Sequence, residues 1–217
     1  MLQSYSLAAA IYRILLGLAG WLALALQFFL MWAEAKAKGL PPGEIFVNFF
    51  SYYTILTNIL VAVALSVVTL APGSRTGAFF ARATVQTALA GNIVLVSLVY
   101  NGILSGLWQP HGWQRVVDFG LHTAIPLFYL VYWFLFVPKG TLRWTAPLPW
   151  LLYPLAYLVY SMIRGAQMGW YPYPFMDAAA LGYGAVSRNC LLVMGVFLFL
   201  FFGLTWLDRW LGRKYII

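Results

Sequence analysis

Uncharged apolar runs recur along the whole chain at the length of about 20 residues that a helix needs to cross a hydrocarbon core. Residues 14–32, ILLGLAGWLALALQFFLMW, hold no charge and a single amide, Gln27. A soluble fold would have to cover such runs with polar faces. Only 8% of the 217 residues are charged and 63% are hydrophobic, and the charges fall between the runs, so the bilayer is the main solvent. A backbone in hydrocarbon must satisfy its own hydrogen bonds, which selects helices. The expectation is an all-α polytopic integral membrane protein, one domain over residues 1–217, with six transmembrane helices near 7–32, 46–70, 82–104, 117–137, 148–164 and 182–207. Turn chemistry at residues 39–43, 71–74, 109–112 and 138–140 separates the first five helices. Arg13 precedes the first run as in a signal peptide, but the run is too long for a typical cleaved core and is read as a retained span.

An even number of spans puts both termini on one side. That side carries Arg13, Arg75, Arg82, Lys139, Arg143, Arg209, Arg213 and Lys214, and the other carries Lys36, Lys38, Arg115, Arg164 and Arg188. Eight against five predicts cytoplasmic termini. The same bias accounts for the formal charge of +8 without a nucleic-acid partner. Cys190, the single cysteine, allows no internal disulfide. The two halves of the chain show no fixed-period repeat and no matching pair of broken helices, which argues against an inverted-repeat transporter.

Polar side chains at membrane depth are costly unless paired, so their positions carry the functional signal. The second predicted helix holds Ser51, Thr54, Thr57 and Asn58, with Ser51, Thr54 and Asn58 at the i, i+3, i+7 spacing of one face. Asn101 ends the third, Asp118 and His122 open the fourth one turn apart, Ser161 and Arg164 end the fifth, and Arg188 and Asn189 open the sixth. All of these positions fall toward the outer leaflet. Pro126, four residues after His122, cannot donate to the His122 carbonyl and should bend the helix there. Each residue also has a plainer role. Thr54 can bond back to the Phe50 carbonyl, and His122 can be a satisfied packing histidine. Asp118 can sit at a helix N-terminus, Arg164 and Arg188 can snorkel to headgroups, and His111 can be an exposed turn residue. The chain holds no G-x-S-x-G, H-E-x-x-H, C-x-x-C or phosphate-binding loop. A metal site from His111, Asp118 and His122 would need the loop histidine to fold inward, so no metal and no cofactor is expected.

Three stretches in order, FFSYYTILTN (residues 49–58), DFGLHTAIPLF (118–128) and GWYPYPFMD (169–177), resemble the androgen-induced-gene family of intramembrane threonine hydrolases, which includes the androgen-dependent TFPI-regulating proteins. Over nearly the whole chain the likeness is to their bacterial six-helix relatives, the Pr-six-Pr group, which implies a bacterial cytoplasmic membrane. The family cleaves fatty acid esters of hydroxy fatty acids with a threonine of the second helix and a histidine of the fourth. The resemblance implies Thr54 and His122 for these roles, with Thr57 as a competing choice of nucleophile. Two departures stand out: the proline after the histidine comes one residue earlier than in the animal enzymes, and the segment from Trp170 to Phe175 is one residue longer.

The expected chemistry is ester hydrolysis through an acyl-enzyme, with Thr54 as nucleophile and His122 as general base, on a membrane lipid or lipid-like ester. Asp118 could orient the imidazole, and Asn58, Asn101 or Arg188 could stabilise the oxyanion. The alternatives are a small-molecule or proton carrier in which Asp118 and His122 relay protons, and a non-catalytic lipid-binding protein.

Overall fold

The computed structural model describes residues 6–213; Lys214, counted above on the terminus side, lies outside them. Regular structure among these residues is entirely helical. It comprises α1 (Leu7–Ala37), α2 (Pro42–Phe49), α3 (Tyr53–Leu70), α4 (Arg75–Phe80), α5 (Ala83–Val99), α6 (Trp113–Phe119), α7 (Ile125–Phe136), α8 (Pro147–Trp150), α9 (Leu152–Met168) and α10 (Ala178–Arg213). A π-helical turn over Tyr100–Leu104 extends α5, and a second over Gly120–Ala124 joins α6 to α7. Five continuous segments are long and apolar enough to cross a bilayer: Leu7–Ala37, Tyr53–Leu70, Ala83–Leu104, Trp113–Phe136 and Ala178–Arg213. Such helices mark a membrane protein.

The middle of the bundle is α3 and α5. α1 packs on α3, α7 packs on α5 and α1, and α10 packs on α5. Over their most apolar windows α3 and α5 are 56% and 50% buried, against 22% for α1 and α10. The outer helices expose side chains such as Leu22 (69%) and Phe199 (78%), a surface that is stable against lipid and costly against water. Close approach depends on small residues. A Cβ placed on Gly20 would lie 3.5 Å from the Ala62 Cβ, and the ring of Phe201 lies over Gly91, where a Cβ would stand 2.2 Å from its Cε1.

The second predicted helix is not continuous. It breaks at residues 50–52, where Tyr52 is extended (φ −86°, ψ 128°), and α3 starts afresh at Tyr53. No proline or glycine marks the break; distant tyrosines of α9 hold it open. Tyr157 donates its hydroxyl proton to the Ser51 carbonyl at 2.9 Å. The Ser51 and Tyr160 hydroxyls are 2.8 Å apart, those of Thr57 and Tyr153 are 3.0 Å apart, and Arg164 donates to Asn48 Oδ1 at 2.6 Å. Tyr153, Tyr157, Tyr160 and Arg164 stand at i, i+4, i+7 and i+11, one stripe of α9. That stripe explains why α9, 17 residues long, is less apolar than the other long helices. The break also places Ser51 outside the helix that carries Thr54 and Asn58, so these three do not form one helical face.

The last helix is interrupted at Gly182 (φ +75°, ψ 153°), a conformation that glycine adopts without strain. Asp177 Oδ1 caps its start, accepting from the Ala179 and Ala180 amides at 2.9 and 3.0 Å. At the other end of the bundle Lys139 closes α7. Its ammonium donates to the Trp133 and Val137 carbonyls, each at 2.5 Å, and sits 4.1 Å from the Trp133 ring centroid.

Candidate active site

Helical threonines usually return their hydroxyl proton to the carbonyl four residues back, and Thr69, Thr87 and Thr205 do so at 2.8, 2.7 and 2.8 Å. Thr54 does not. It sits in the first turn of α3, so the carbonyl it would use belongs to Phe50, in the break. Its hydroxyl lies 3.5 Å from the Tyr173 hydroxyl, and its backbone N–H donates to the same Tyr173 oxygen at 3.3 Å. Thr54 also lines a cavity of about 420 Å³ shared with His122, Asp118, Tyr100 and Tyr173. Thr57, fully buried against Tyr153, is not among the residues that line this cavity.

His122 stands in the π turn Gly120–Ala124. Its Nδ1 is 2.9 Å from the backbone carbonyl oxygen of Asp118 and 3.2 Å from Asp118 Oδ1. A carbonyl can only accept, so in the neutral ring the proton sits on Nδ1 and Nε2 keeps its lone pair. No hydrogen bond from the described residues reaches Nε2. The ring is clamped face to face on Tyr100, with centroids 3.6 Å apart and planes 14° from parallel. Tyr100 is fixed in turn by Trp108, whose indole N–H donates to its hydroxyl at 3.0 Å. The Asp118 main chain thus orients the imidazole by hydrogen bond, with the carboxylate as a nearby charge.

The π turn and Pro126 leave backbone carbonyls without their usual donors. The Ile125 N–H reaches back to Gly120, which frees the Leu121 carbonyl, and Pro126 has no proton to offer His122. Two asparagines fill these vacancies. Asn58 Nδ2 donates to the Leu121 carbonyl at 3.3 Å and to the Thr54 carbonyl at 2.8 Å. Asn101 Nδ2 donates to the His122 carbonyl at 3.2 Å and to Ser97 at 2.9 Å. One amide therefore ties the main chain of Thr54 to the residue before His122, which brings the two catalytic candidates to one level of the bundle.

These bonds revise the expected oxyanion groups. The amide protons of Asn58 and Asn101 are committed to carbonyls, and the remaining Asn58 atom, buried Oδ1 without a partner, is an acceptor that would repel an oxyanion. Arg188 is exposed and lines neither this cavity nor the second one beside it. A hydroxyl that does lie on the cavity wall beside Thr54 is that of Tyr173. It comes from the loop between α9 and α10, where Trp170 lies 4.4 Å from the Arg164 guanidinium and Asn189 Nδ2 donates to the Phe175 carbonyl at 2.9 Å. Burial raises the Tyr173 phenol above its ordinary pKa, so it stays protonated and can donate. The sequence alone gives Tyr173, within the GWYPYPFMD segment, no role. The signal was there: a proline-broken aromatic loop cannot continue a span, and its phenols need partners.

His111 is exposed in its turn. Among the described residues, no three His, Cys, Asp or Glu side chains converge as a metal would require. The chain matches no known family model, no curated protein and no solved structure.

Proposed function

We propose that this protein is an intramembrane hydrolase of lipid esters, with Thr54 as nucleophile and His122 as general base. One observation carries the reading: a threonine hydroxyl without its helical acceptor opens on the same cavity as an imidazole pinned through Nδ1. His122 Nε2 takes the Thr54 proton as Oγ1 adds to the ester carbonyl, and the Tyr173 hydroxyl donates to the resulting oxyanion. Collapse breaks the ester C–O bond, and the alcohol leaves with the proton held by His122. Water, deprotonated by the same nitrogen, then adds to the acyl-threonine and releases the acid, and Thr54 regains its proton. Fatty acid esters of hydroxy fatty acids are the substrates that the androgen-induced-gene resemblance implies.

The same reading takes α9 as a sixth span and places both termini in the bacterial cytoplasm. Its support is the eight-to-five division of basic residues and the pairing of the α9 tyrosine stripe with the break before α3.

The test is turnover of fluorogenic esters by purified protein in nanodiscs. Thr54→Ala and His122→Ala should each lose about 100-fold or more, and Thr57→Ala should stay within about threefold of the parent, since its hydroxyl faces Tyr153. Undiminished turnover in both of the first two variants would end the proposal. The carboxylate beside an imidazole is also what a proton-coupled carrier would use, and solute flux into proteoliposomes without hydrolysis would move the site to that function.

A further inference from the structure

Thr54 lines two cavities. Beside the first, a narrow slot of about 80 Å³ lies between α5, α9 and α10, and Thr54, Tyr100, Leu104 and Tyr173 line both. The two volumes therefore share a wall that includes the proposed nucleophile. The α10 wall of the slot is Cys190, Val193, Met194 and Phe197, an i, i+3, i+4, i+7 stripe that extends about 10 Å along the helix. Val96 and Val99 of α5 are on its wall too, and no charged residue lines it.

The larger cavity is different in kind. Glu34 and Asp118 bring carboxylates to it, Gln27 and Gln114 bring amides, and among the described residues no lysine or arginine lines it. Glu34 is paired at its exposed side with Lys38 at 2.6 Å. Asp118 Oδ1 is buried, 3.2 Å from His122 Nδ1.

We propose that the substrate straddles Thr54 as a medium- or long-chain acyl ester, with the first few carbons of its straight acyl chain in the slot and an uncharged or cationic alcohol in the larger cavity. This rests on the hydrolase reading and narrows it. Away from the hydroxyl groups around Thr54 the slot offers an alkyl chain apolar walls, from Leu95 and Val96 to Met194 and Phe197. An alcohol carrying a free carboxylate would face Glu34 and Asp118 with neither lysine nor arginine among the described residues of the cavity wall to offset them. Esters of hydroxy acids, the substrates implied by resemblance, are therefore disfavoured by this chain.

Cys190, the only cysteine, reports on the slot independently of turnover. In the full-length Thr54→Ala protein in nanodiscs, methyl decanoate should slow modification of Cys190 by methyl methanethiosulfonate at least fivefold, and methyl acetate should not. In the Thr54 protein, Val193→Trp should cut turnover of decanoyl esters at least tenfold more than that of acetyl esters. Decanoylcholine should exceed decanoylglycolate at least tenfold in kcat/KM. Turnover with no protection and no chain-length effect of Val193→Trp would overturn the slot assignment, and equal or faster cleavage of the glycolate ester would overturn the alcohol assignment. Protection of Cys190 without turnover of any ester would keep the slot as a chain site and remove the hydrolase reading alone.

Discussion

Tyr173 is the residue on which the site's electrostatics turn, because its phenol meets both the amide and the hydroxyl of Thr54. Tyr173→Phe should lower kcat by about 100-fold and change KM little, the signature of a donor needed chiefly in the transition state. Asn101→Leu should lower stability by about 1–3 kcal/mol, because the His122 carbonyl would lose the Asn101 amide as its donor; chemical denaturation in detergent measures this. Burial pushes the Lys139 ammonium down from 10.5 to about 8, with Asp208 pulling the other way. Between those values the unfolded chain holds more protons than the folded one, so stability rises with pH from about 8 to about 10.5. Thermal melts in detergent should follow that rise, and Lys139→Met should flatten it. Thr54, Asp118 and His122 stand out in the sequence as polar groups at membrane depth, but the choice of Thr54 and His122 among such groups rests on the family resemblance. What Asn58 and Asn101 do is not legible, since their acceptors are carbonyls freed by a change of helix type.

Helix type is decided at the level of the element. Pro126 forbids one backbone bond, and the chain responds with a π turn just before it and a side chain from the neighbouring helix. Pro126→Ala restores the missing donor and should favour an ordinary α-helical turn, rotating His122 away from its stack on Tyr100. The expected result is at least a tenfold loss of ester turnover with a melting temperature equal to or above the parent's. Bulk, not hydrogen bonding, controls the contact of α5 with α10. Gly91→Val should destabilise by about 1–3 kcal/mol through the Phe201 ring, and Phe201→Ala should recover part of that loss. The sequence announces the Pro126 irregularity openly. It is silent about the break between α2 and α3, because the groups that stabilise the break lie about a hundred residues away, on α9.

At the scale of the whole molecule, helical character and the long apolar segments follow from hydropathy alone, since length and the absence of charge are local properties. The ends of the helices are less legible. α1 runs on to Ala37 and α10 to Arg213, because Lys and Arg keep a helix going outside hydrocarbon as readily as inside a soluble protein. Orientation is testable directly. In a Cys190→Ser background, a cysteine at Ser74 should be shielded from an impermeant maleimide in intact cells and one at Gly106 should react, as cytoplasmic termini require. The paired π turns of α5 and of the segment from α6 to α7 have a consequence for how the chain can vary in length. Each holds the equivalent of one surplus residue in an otherwise regular spiral. A single deletion within residues 100–104 or 120–124 would let that turn relax to the common pitch with both flanks still in phase. The same deletion a few positions further along would turn every downstream side chain by about 100°. The two turns are thus the places within these helices where the chain can lose one residue and keep its packing, and the imidazole stands inside one of them.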